Sequence, residues 1–214
     1  MASPVKPFLS YEAQVEHLRA CGMHVEDKGK AIETLSRVNY YRLVNAYGLG
    51  LYADESKHRF CEGVTFWQVY SLYAFDNRLR HVVSELLEEF EVLFRTRLAH
   101  YIGEHYGAVG YLNPAMFASG TFHQEIMDAI GREEAVQHKS PIVKHHNDKY
   151  GGKLPVWAVV EVSTFGTISK LYKNMLLADQ ATIAKQFGLT PTLLNSWLRA
   201  FVEVRNICAH YGRL

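Results

Sequence analysis

Three polar residues near the C-terminus, Arg205, Asn206 and His210 in the stretch RNICAH, are of types that could cleave an RNA backbone without a metal ion. Histidine can take or give a proton near neutral pH because its unperturbed pKa is about 6.5, and arginine grips phosphate oxygens through a planar, bidentate fork. An asparagine one helical turn before the histidine could orient its ring or hold a phosphate oxygen. The alternative is an ordinary helix end, where arginine and histidine lie favourably near the negative end of the helix dipole. The spacing alone favours this alternative.

The helical geometry of RNICAH leaves the site of one chain chemically incomplete. At about 100° per residue, Asn206 and His210 share a face, whereas Arg205 is displaced by about 140° from the histidine. The two side chains can still reach one groove if the arginine bends around the helix, or if a second copy of the helix packs alongside. General acid and general base roles would ideally use two histidines, and this stretch supplies one. A symmetric dimer that places two such stretches face to face would supply both.

A second arginine and histidine with the same spacing, Arg95 and His100, occur in the stretch RTRLAH. One interpretation is that they form a partner half-site, so that a single chain holds two catalytic histidines. The alternative is that Arg95 pairs with Glu91, four residues earlier on the same helical face, and that His100 merely packs. The sequence favours the alternative, because Thr96 stands where the C-terminal stretch has an asparagine.

Two further residues are candidates for supporting roles. Arg213, three residues after His210, could add a phosphate contact or could cap the end of the helix. Glu161 lies in the apolar stretch PVWAVVEVS, where an unpaired carboxylate would be costly to bury. We therefore expect Glu161 to face a basic partner, with Arg205 and Arg95 as the candidates, and structural pairing is favoured over a catalytic role.

The sequence indicates neither a metal site nor a cofactor. His145, His146 and Asp148 are close together, but adjacent histidines point to different faces of a helix and no fourth ligand is evident. Aromatic residues could stack on bases, but at helical spacing they favour core positions; they include the stretch NYYRL and Trp67, Trp157 and Trp197. Cys208, inside the C-terminal stretch, is interpreted as a small packing residue.

The composition indicates a globular protein. Its net charge is too small to attract nucleic acid over the whole surface, so any site for a polyanion must depend on a local group of basic residues. The 214 residues are 48% hydrophobic, which allows a sizeable core, and carry a formal net charge of +1. A general phosphate binder usually has a clearly basic balance; here the charge is uneven, and the stretch from Thr167 onwards is net basic. The three cysteines form neither a CxxC pair nor an even disulfide set, and no signal peptide or membrane-spanning apolar run is present. We therefore expect a cytoplasmic protein without membrane contact.

The apolar spacing predicts helices almost throughout, and no stretch shows the strict alternation of a half-buried strand. The sequence therefore predicts an all-α, multi-helix protein. The longest predicted helix runs for about forty residues, from Thr65 to Gly107, without a proline and without an internal glycine until Gly103. A helix that starts at Pro155 is expected to break at Phe165–Gly166, and Thr190–Pro191 is expected to start the last helix, which carries RNICAH. The loop from Gly151 to Pro155 is the only subdomain boundary that the composition indicates.

Several stretches, in order along the chain, resemble the Abi-like family of bacterial abortive-infection proteins, those of the AbiD and AbiF kind. They are KPFLSYEAQVEHLRACG, AIETLSRVNYYRL, LYAFDNRLRHVVSELLEEFEVLFRTRLAHYIGEHYG, PVWAVVEVSTFGTISKLYKNM and VRNICAHYGRL. RNICAH itself matches the R-x4-H signature of the HEPN superfamily, in the form RNxxAH. The resemblance implies one all-helical Abi-like domain over residues 1–214. Within it, we expect an N-terminal helical part at 1–60 and a HEPN-type helical bundle at 64–214 that carries the motif at 205–210.

The same resemblance implies a function. It is that of an antiphage toxin that cleaves RNA without a metal, with Arg205, Asn206 and His210 at a composite site of a homodimer and with a small non-coding RNA as a second partner. The resemblance also leads us to expect residues beyond the motif, because members of the family generally continue past it, whereas this sequence ends at Leu214. Two alternatives stay open. One is a non-catalytic helical module that binds RNA or a protein, and the other is a nuclease that acts only after a small RNA or a phage component triggers it.

Overall fold

The computed structural model describes residues 5–214, which form two compact units. One unit contains the described residues up to His81 together with Arg213–Leu214, and the other contains Val82–Gly212. The dividing point lies within the longest helix. It therefore differs from both boundaries considered from the sequence, residues 60–64 and the loop from Gly151 to Pro155.

Helices form most of the described chain, which confirms the predicted all-α class. The α-helices are α1 (Tyr11–Ala20), α2 (Lys28–Arg37), α3 (Phe66–Tyr106), α4 (Gly120–Val136), α5 (Pro141–Tyr150), α6 (Val156–Val162), α7 (Phe165–Asn174), α8 (Leu177–Lys185) and α9 (Pro191–Ala209). A π-helix covers Tyr41–Asn45, and 3-10 turns cover Gly110–Leu112 and Pro114–Met116. None of the described helices is both long and apolar enough to cross a membrane.

The strands within residues 5–214 are β1 (Tyr52–Asp54) and β2 (Arg59–Phe60), which pair antiparallel as a hairpin. Tyr52 lies opposite Phe60 across the pair. Strands of three and two residues are too short to leave the alternating pattern by which a half-buried strand is recognised. This explains why the sequence did not predict them.

In the first unit, α1 and α2 pack together because each has one apolar face. Ser10 caps the start of α1 by accepting a hydrogen bond from the N–H of Ala13 at 3.3 Å, and the left-handed backbone of Gly22 (φ +90°) turns the chain after the helix. The buried side chains of this core include Val15, Leu18, Ala31, Leu35, Leu43 and Phe66. Residues next to α1 in the sequence therefore determine both of its ends.

A buried ion pair also stabilises the first unit. Asp76 and Arg80 form an ion pair, because residues four apart on α3 share one helical face, and both are almost fully buried. The hydroxyl of Tyr47 donates to Asp76 at 2.6 Å and accepts a hydrogen bond from Arg80 at 3.0 Å. Burial of this pair is tolerated because each charge has a partner of opposite sign and further hydrogen bonds.

The core of the second unit is formed by the later half of α3 and by α4 to α9. Helix α7 packs against both α4 and α9, and α8 packs against α9. The fully or nearly fully buried side chains include Phe94, Leu98, Ile102, Ile126, Val159, Phe165, Ile168, Leu171, Tyr172, Ile183, Leu194 and Leu198. This core fixes α9, which carries RNICAH, beside α3, which carries RTRLAH.

The break between α6 and α7 lies two residues before the predicted position. Helix α6 ends at Val162, and Thr164 caps α7. The carboxylate of Glu133 accepts hydrogen bonds from the N–H of Thr164 at 3.1 Å and from the hydroxyls of Thr164 and Thr167, both at 2.8 Å. A tertiary contact from α4 therefore stabilises the start of α7, and the glycine at 166 lies inside the helix.

Candidate functional site

Helix α9 carries the RNICAH stretch and is firmly fixed at its start. Thr190 accepts a hydrogen bond from the N–H of Leu193 at 3.3 Å, and Pro191 occupies the first helical position, as predicted. Leu194 and Leu198 are fully buried in the core of the second unit. The buried first half of α9 thus positions the more exposed second half, where the stretch lies.

The helix ends directly after the stretch, in a turn that satisfies its last carbonyl groups. The N–H of Tyr211 donates to the carbonyl of Cys208 at 3.1 Å, and the N–H of Gly212 donates to that of Ile207 at 2.8 Å. These are the paired bonds of a Schellman motif, in which Tyr211 takes the left-handed backbone (φ +57°) that glycine usually adopts. His210 is the C-cap residue, so its side chain projects from the very end of the helix.

Glu91 of α3 connects the arginines of the two R-x4-H stretches. Arg95 bonds to Glu91 through its Nε at 3.0 Å and through a terminal nitrogen, which confirms the pairing predicted from their spacing. The Nε of Arg205 lies 3.6 Å from the other carboxylate oxygen of Glu91. The side chain of Glu91 is 12% exposed and that of Arg205 is 44% exposed. The contact with Arg205 was missed in the sequence because no local spacing relates α3 to α9.

The remaining donors of Arg95 hold the end of α6. A terminal nitrogen of Arg95 donates to the backbone carbonyls of Val160 and Ser163, the latter at 2.8 Å. Arg95 is only 9% exposed, and a buried guanidinium is tolerated only where it is paired and hydrogen-bonded. Arg95 therefore fixes Glu91 in place and is not free to bind a phosphate.

An open cavity of about 420 Å³ lies against this cluster in the second unit. Both arginines line it, together with the carboxylates of Glu88, Glu91 and Glu161. The carboxylates outnumber the guanidinium groups, so the cavity in this arrangement offers a phosphate little net attraction. Of the two arginines, Arg205 is the one that reaches solvent and can meet a phosphate.

Asn206 and His210 lie outside this charge cluster. Asn206 Oδ1 accepts a long hydrogen bond from Arg205 at 3.4 Å, and both Asn206 and His210 are exposed. Among residues 5–214, the ring of His210 has no hydrogen-bond or ion-pair partner. In an ideal helix, Arg205 and His210 are about 140° apart around the axis and about 7.5 Å apart along it, so their side chains leave different sides of the helix. The structure brings Arg205 and Asn206 together and leaves His210 free at the helix end.

Arg213 does not cap the end of α9, and its guanidinium is engaged in the first unit. It donates to the carbonyl of Ala46 at 2.6 Å and lies over the ring of Tyr47, 5.5 Å from the centroid. The N–H of the next residue, Leu214, donates to Asp76 at 3.0 Å. A cap by Arg213 is unnecessary because the Schellman motif already satisfies carbonyls of the last helical turn.

The expectation that Glu161 pairs with Arg205 or Arg95 is wrong. Glu161 is exposed, and it forms no ion pair within the described part of the chain. Helix α6 buries Val160 and Val162 and directs Glu161 to solvent, so the cost of burying its carboxylate does not arise. The carboxylate that contacts Arg95 and Arg205 is that of Glu91.

His100 does not join Arg95 in a second site within the chain. Its ring is exposed and lies 3.8 Å from Glu104, whereas Arg95 is buried and paired with Glu91. The expectation that His100 packs is therefore also wrong, because it lies at the surface. Together with the exposed Trp157, it lines a separate groove of about 470 Å³.

The remaining candidates are distributed as follows. Within residues 5–214, no group of three or more histidine, cysteine, aspartate or glutamate side chains is placed to hold a metal ion. Cys208 is buried, which confirms its interpretation as a packing residue. Trp67 is half-buried and packs against the core of the first unit. Trp157 and Trp197 are exposed, so the expectation of a core position is wrong for both.

Comparison with known proteins identifies the family. No curated protein and no solved structure matches the chain. The profile of the family described as Abi-like protein matches residues 33–214, a range that includes α3, α9 and the whole cluster of Glu91, Arg95 and Arg205. This match covers most of the chain and suggests a role in abortive infection. The chain belongs to the Abi-like protein family.

Proposed function

We propose that this protein is an antiphage toxin that cleaves RNA as a metal-independent endoribonuclease of the HEPN type. The observation that carries the proposal is the RNICAH stretch at the exposed end of α9, where Arg205 borders a cavity and the ring of His210 has no hydrogen-bond or ion-pair partner among the described residues. Membership of the Abi-like family supports the role in defence. A nuclease that stops host metabolism provides the chemistry for such a role.

The proposed reaction is attack of a ribose 2′-hydroxyl on the adjacent phosphorus, with departure of the 5′-oxygen. His210 takes the proton of the hydroxyl or gives one to the leaving oxygen, since its ring is accessible and has no competing partner in the described chain. Arg205 binds the phosphate oxygens and stabilises the charge that develops on them. Asn206, bonded to Arg205, orients that guanidinium and contacts the phosphate.

The second histidine of the reaction comes from a second copy of the chain. Helix α3 has an exposed apolar surface within the second unit, formed by Val82, Leu86, Val92 and Leu93. Val92 also lines the cavity beside Arg205, so this surface continues into the candidate site. A second copy that packs there would bury apolar area and place its own residues at the cavity. The proposal is therefore a homodimer with a composite site.

One specific observation favours a nuclease that is restrained until it is triggered. The Nε of Arg205 lies 3.6 Å from Glu91, and Glu88 and Glu161 face the same cavity. A phosphate must displace Glu91 from Arg205 against the repulsion of these carboxylates. A small RNA or a phage component that moves Glu91 away from Arg205 would release the cation for catalysis.

The test is cleavage of RNA by purified protein in excess chelator. We expect the wild type to cut at the basal rate of the restrained enzyme and the His210→Ala variant to lose about 100-fold or more of that rate, the usual contribution of a general acid or base. His138→Ala is the matched control because His138 is also an exposed histidine at a helix C-terminus, and it should cut like the wild type. Cutting that survives His210→Ala, or that needs a divalent metal, would refute the mechanism.

The same variants separate the remaining alternatives. A restrained nuclease is expected to arrest growth only in cells infected with phage, and the arrest should disappear with His210→Ala and persist with His138→Ala. Binding of RNA by the dimer without cleavage, together with growth arrest that is insensitive to His210→Ala, would favour the non-catalytic module.

A further inference from the structure

A pocket of about 400 Å³ in the first unit has a lining of a different kind from the cavity beside Arg205. None of its lining residues is acidic. Its wall combines aromatic rings, side-chain amides and one lysine; the residues used below are Lys6, Gln14, Asn39, Tyr40, Tyr41 and Tyr52. The volume falls within the range of small-molecule sites, and the absence of carboxylates from the wall permits an anionic ligand.

The aromatic residues of the pocket offer stacking surfaces. The ring of Tyr52 packs against Phe60 with centroids 4.5 Å apart, and Tyr40 is half-buried, with burial raising its pKa to about 12. Tyr41 is different, because it is 74% exposed and its ring makes no aromatic contact within the described residues. A tyrosine that lines a pocket and has a free ring face is suited to stack on a planar heterocycle.

The polar groups of the pocket are incompletely satisfied by the protein. Gln14 donates through its amide nitrogen to the carbonyl of Leu9 at 3.0 Å, but its Oε1 is buried and accepts no hydrogen bond within residues 5–214. Asn39 accepts a hydrogen bond from the N–H of Tyr41 at 2.8 Å, which leaves its amide nitrogen as a donor. A buried polar atom without a partner is uncommon and needs an explanation. A ligand that accepts from Asn39, and that donates to Gln14 Oε1 once this side chain turns into the pocket, would satisfy both groups.

We propose that this pocket binds a nucleobase. Base edges carry hydrogen-bond donors and acceptors side by side, as Gln14 and Asn39 require, and every base has a face that can stack on Tyr41. An exocyclic amino group of the base donates to Gln14, and the attached phosphate lies towards Lys6. The base belongs to a free nucleotide or to single-stranded RNA. The inference is independent of the proposed cleavage, because no residue from 205 to 210 lines the pocket.

The test measures binding to the full chain by titration calorimetry with ligands that the proposed nuclease cannot cut. Adenosine and uridine 5′-monophosphates contain no internucleotide linkage, and a tetramer of 2′-O-methyladenosine has no free 2′-hydroxyl to attack its phosphates. The variants are Tyr41→Ala and Gln14→Met. The matched control is Tyr11→Ala, since Tyr11 is an exposed tyrosine of the same unit that does not line the pocket.

We expect adenosine monophosphate to bind more tightly than uridine monophosphate, which has no amino group. Tyr41→Ala should weaken binding by about 5- to 100-fold through lost stacking, and Gln14→Met should weaken it by about 5- to 10-fold and reduce the preference for adenine. Tyr11→Ala should bind as the wild type does. Binding of the tetramer alone, with the same sensitivity to Tyr41→Ala, also supports the proposal and assigns the base to an RNA strand.

Two outcomes would overturn the inference. One is that neither the nucleotides nor the tetramer binds. The other is that they bind with affinities that Tyr41→Ala leaves unchanged. The exposed position of Tyr41 means that its variant should fold, so this comparison remains decisive even if Gln14→Met unfolds.

Discussion

Replacing Glu91 with glutamine tests the charge cluster that links α3, α6 and α9. The substitution keeps the size of the side chain but removes the only carboxylate that contacts buried Arg95 in the described chain. Arg95 retains its bonds to the carbonyls of Val160 and Ser163. We expect a loss of about 2–3 kcal/mol in the free energy of unfolding, between the value of one charge-assisted hydrogen bond and that of removing one partner of a buried pair. The contact between Glu91 and Arg205 contributes little to this loss of stability, because solvent screens the exposed guanidinium of Arg205.

Thermal and urea unfolding measure this loss. For a unit of the size of Val82–Gly212, about 4 °C per kcal/mol is expected, so the midpoint should fall by about 8–12 °C. Glu88→Gln is the matched control, because Glu88 lies on the same helix and lines the same cavity but has no ion pair within the described residues. It should change stability by less than about 0.5 kcal/mol. If Glu91→Gln and Glu88→Gln unfold alike, the shared role of Glu91 is refuted.

Three further predictions concern helix capping and buried ionisable groups. Thr190→Ala should lower the free energy of unfolding by about 1 kcal/mol, because it removes the N-cap of α9. Urea unfolding should show no such loss for Thr192→Ala, since Thr192 is exposed and does not cap the helix. Equal losses in the two variants would contradict the capping argument. Burial raises the pKa of the Glu134 carboxyl above its ordinary value of 4.5, so ionising this group costs more free energy in the folded chain than in the unfolded chain. Unfolding measured over a pH series should show that Glu134→Gln is more stable than the wild type at pH 7 and equally stable well below pH 4.5. Equal stability at pH 7 would contradict this reasoning. Burial and the hydrogen bond to Asp179 raise the pKa of Tyr101 from 10 to about 12, so the stabilisation that comes from keeping its hydroxyl protonated is complete below pH 10 and is lost as the pH rises to 12. Between pH 10 and pH 12, the free energy of unfolding should therefore depend less on pH in Tyr101→Phe than in the wild type. An equal pH dependence in the two proteins would contradict this role of Tyr101.

The fold could be predicted from the sequence where local chemistry decides it. Thr190 caps α9 as its pattern with Pro191 predicts, because a cap depends on residues within one turn. The start of α7 was misplaced by two residues, since the carboxylate of Glu133 on another helix stabilises Thr164 there. Contacts between elements are not encoded in local spacing.

The same distinction explains the outcome at the candidate site. The pairing of Arg95 with Glu91 was predictable because the two residues are one turn apart on α3. The contact of Glu91 with Arg205 joins two helices, so no local spacing indicates it, and the sequence pointed to Glu161 as the partner of an arginine instead. Arg213 likewise donates to the carbonyl of Ala46, a residue far from it in the sequence, so helical spacing could not predict this contact.

The most direct test of the proposed mechanism is the chemistry of the RNA ends. RNA incubated with the wild type in excess chelator, beside a His210→Ala reaction, is analysed for the groups on either side of each cut. Attack by the 2′-hydroxyl predicts 2′,3′-cyclic phosphate and 5′-hydroxyl ends that form with the wild type and are lost with His210→Ala. Cuts that leave 3′-hydroxyl and 5′-phosphate ends, or cyclic ends that persist in the His210→Ala reaction, would contradict the account.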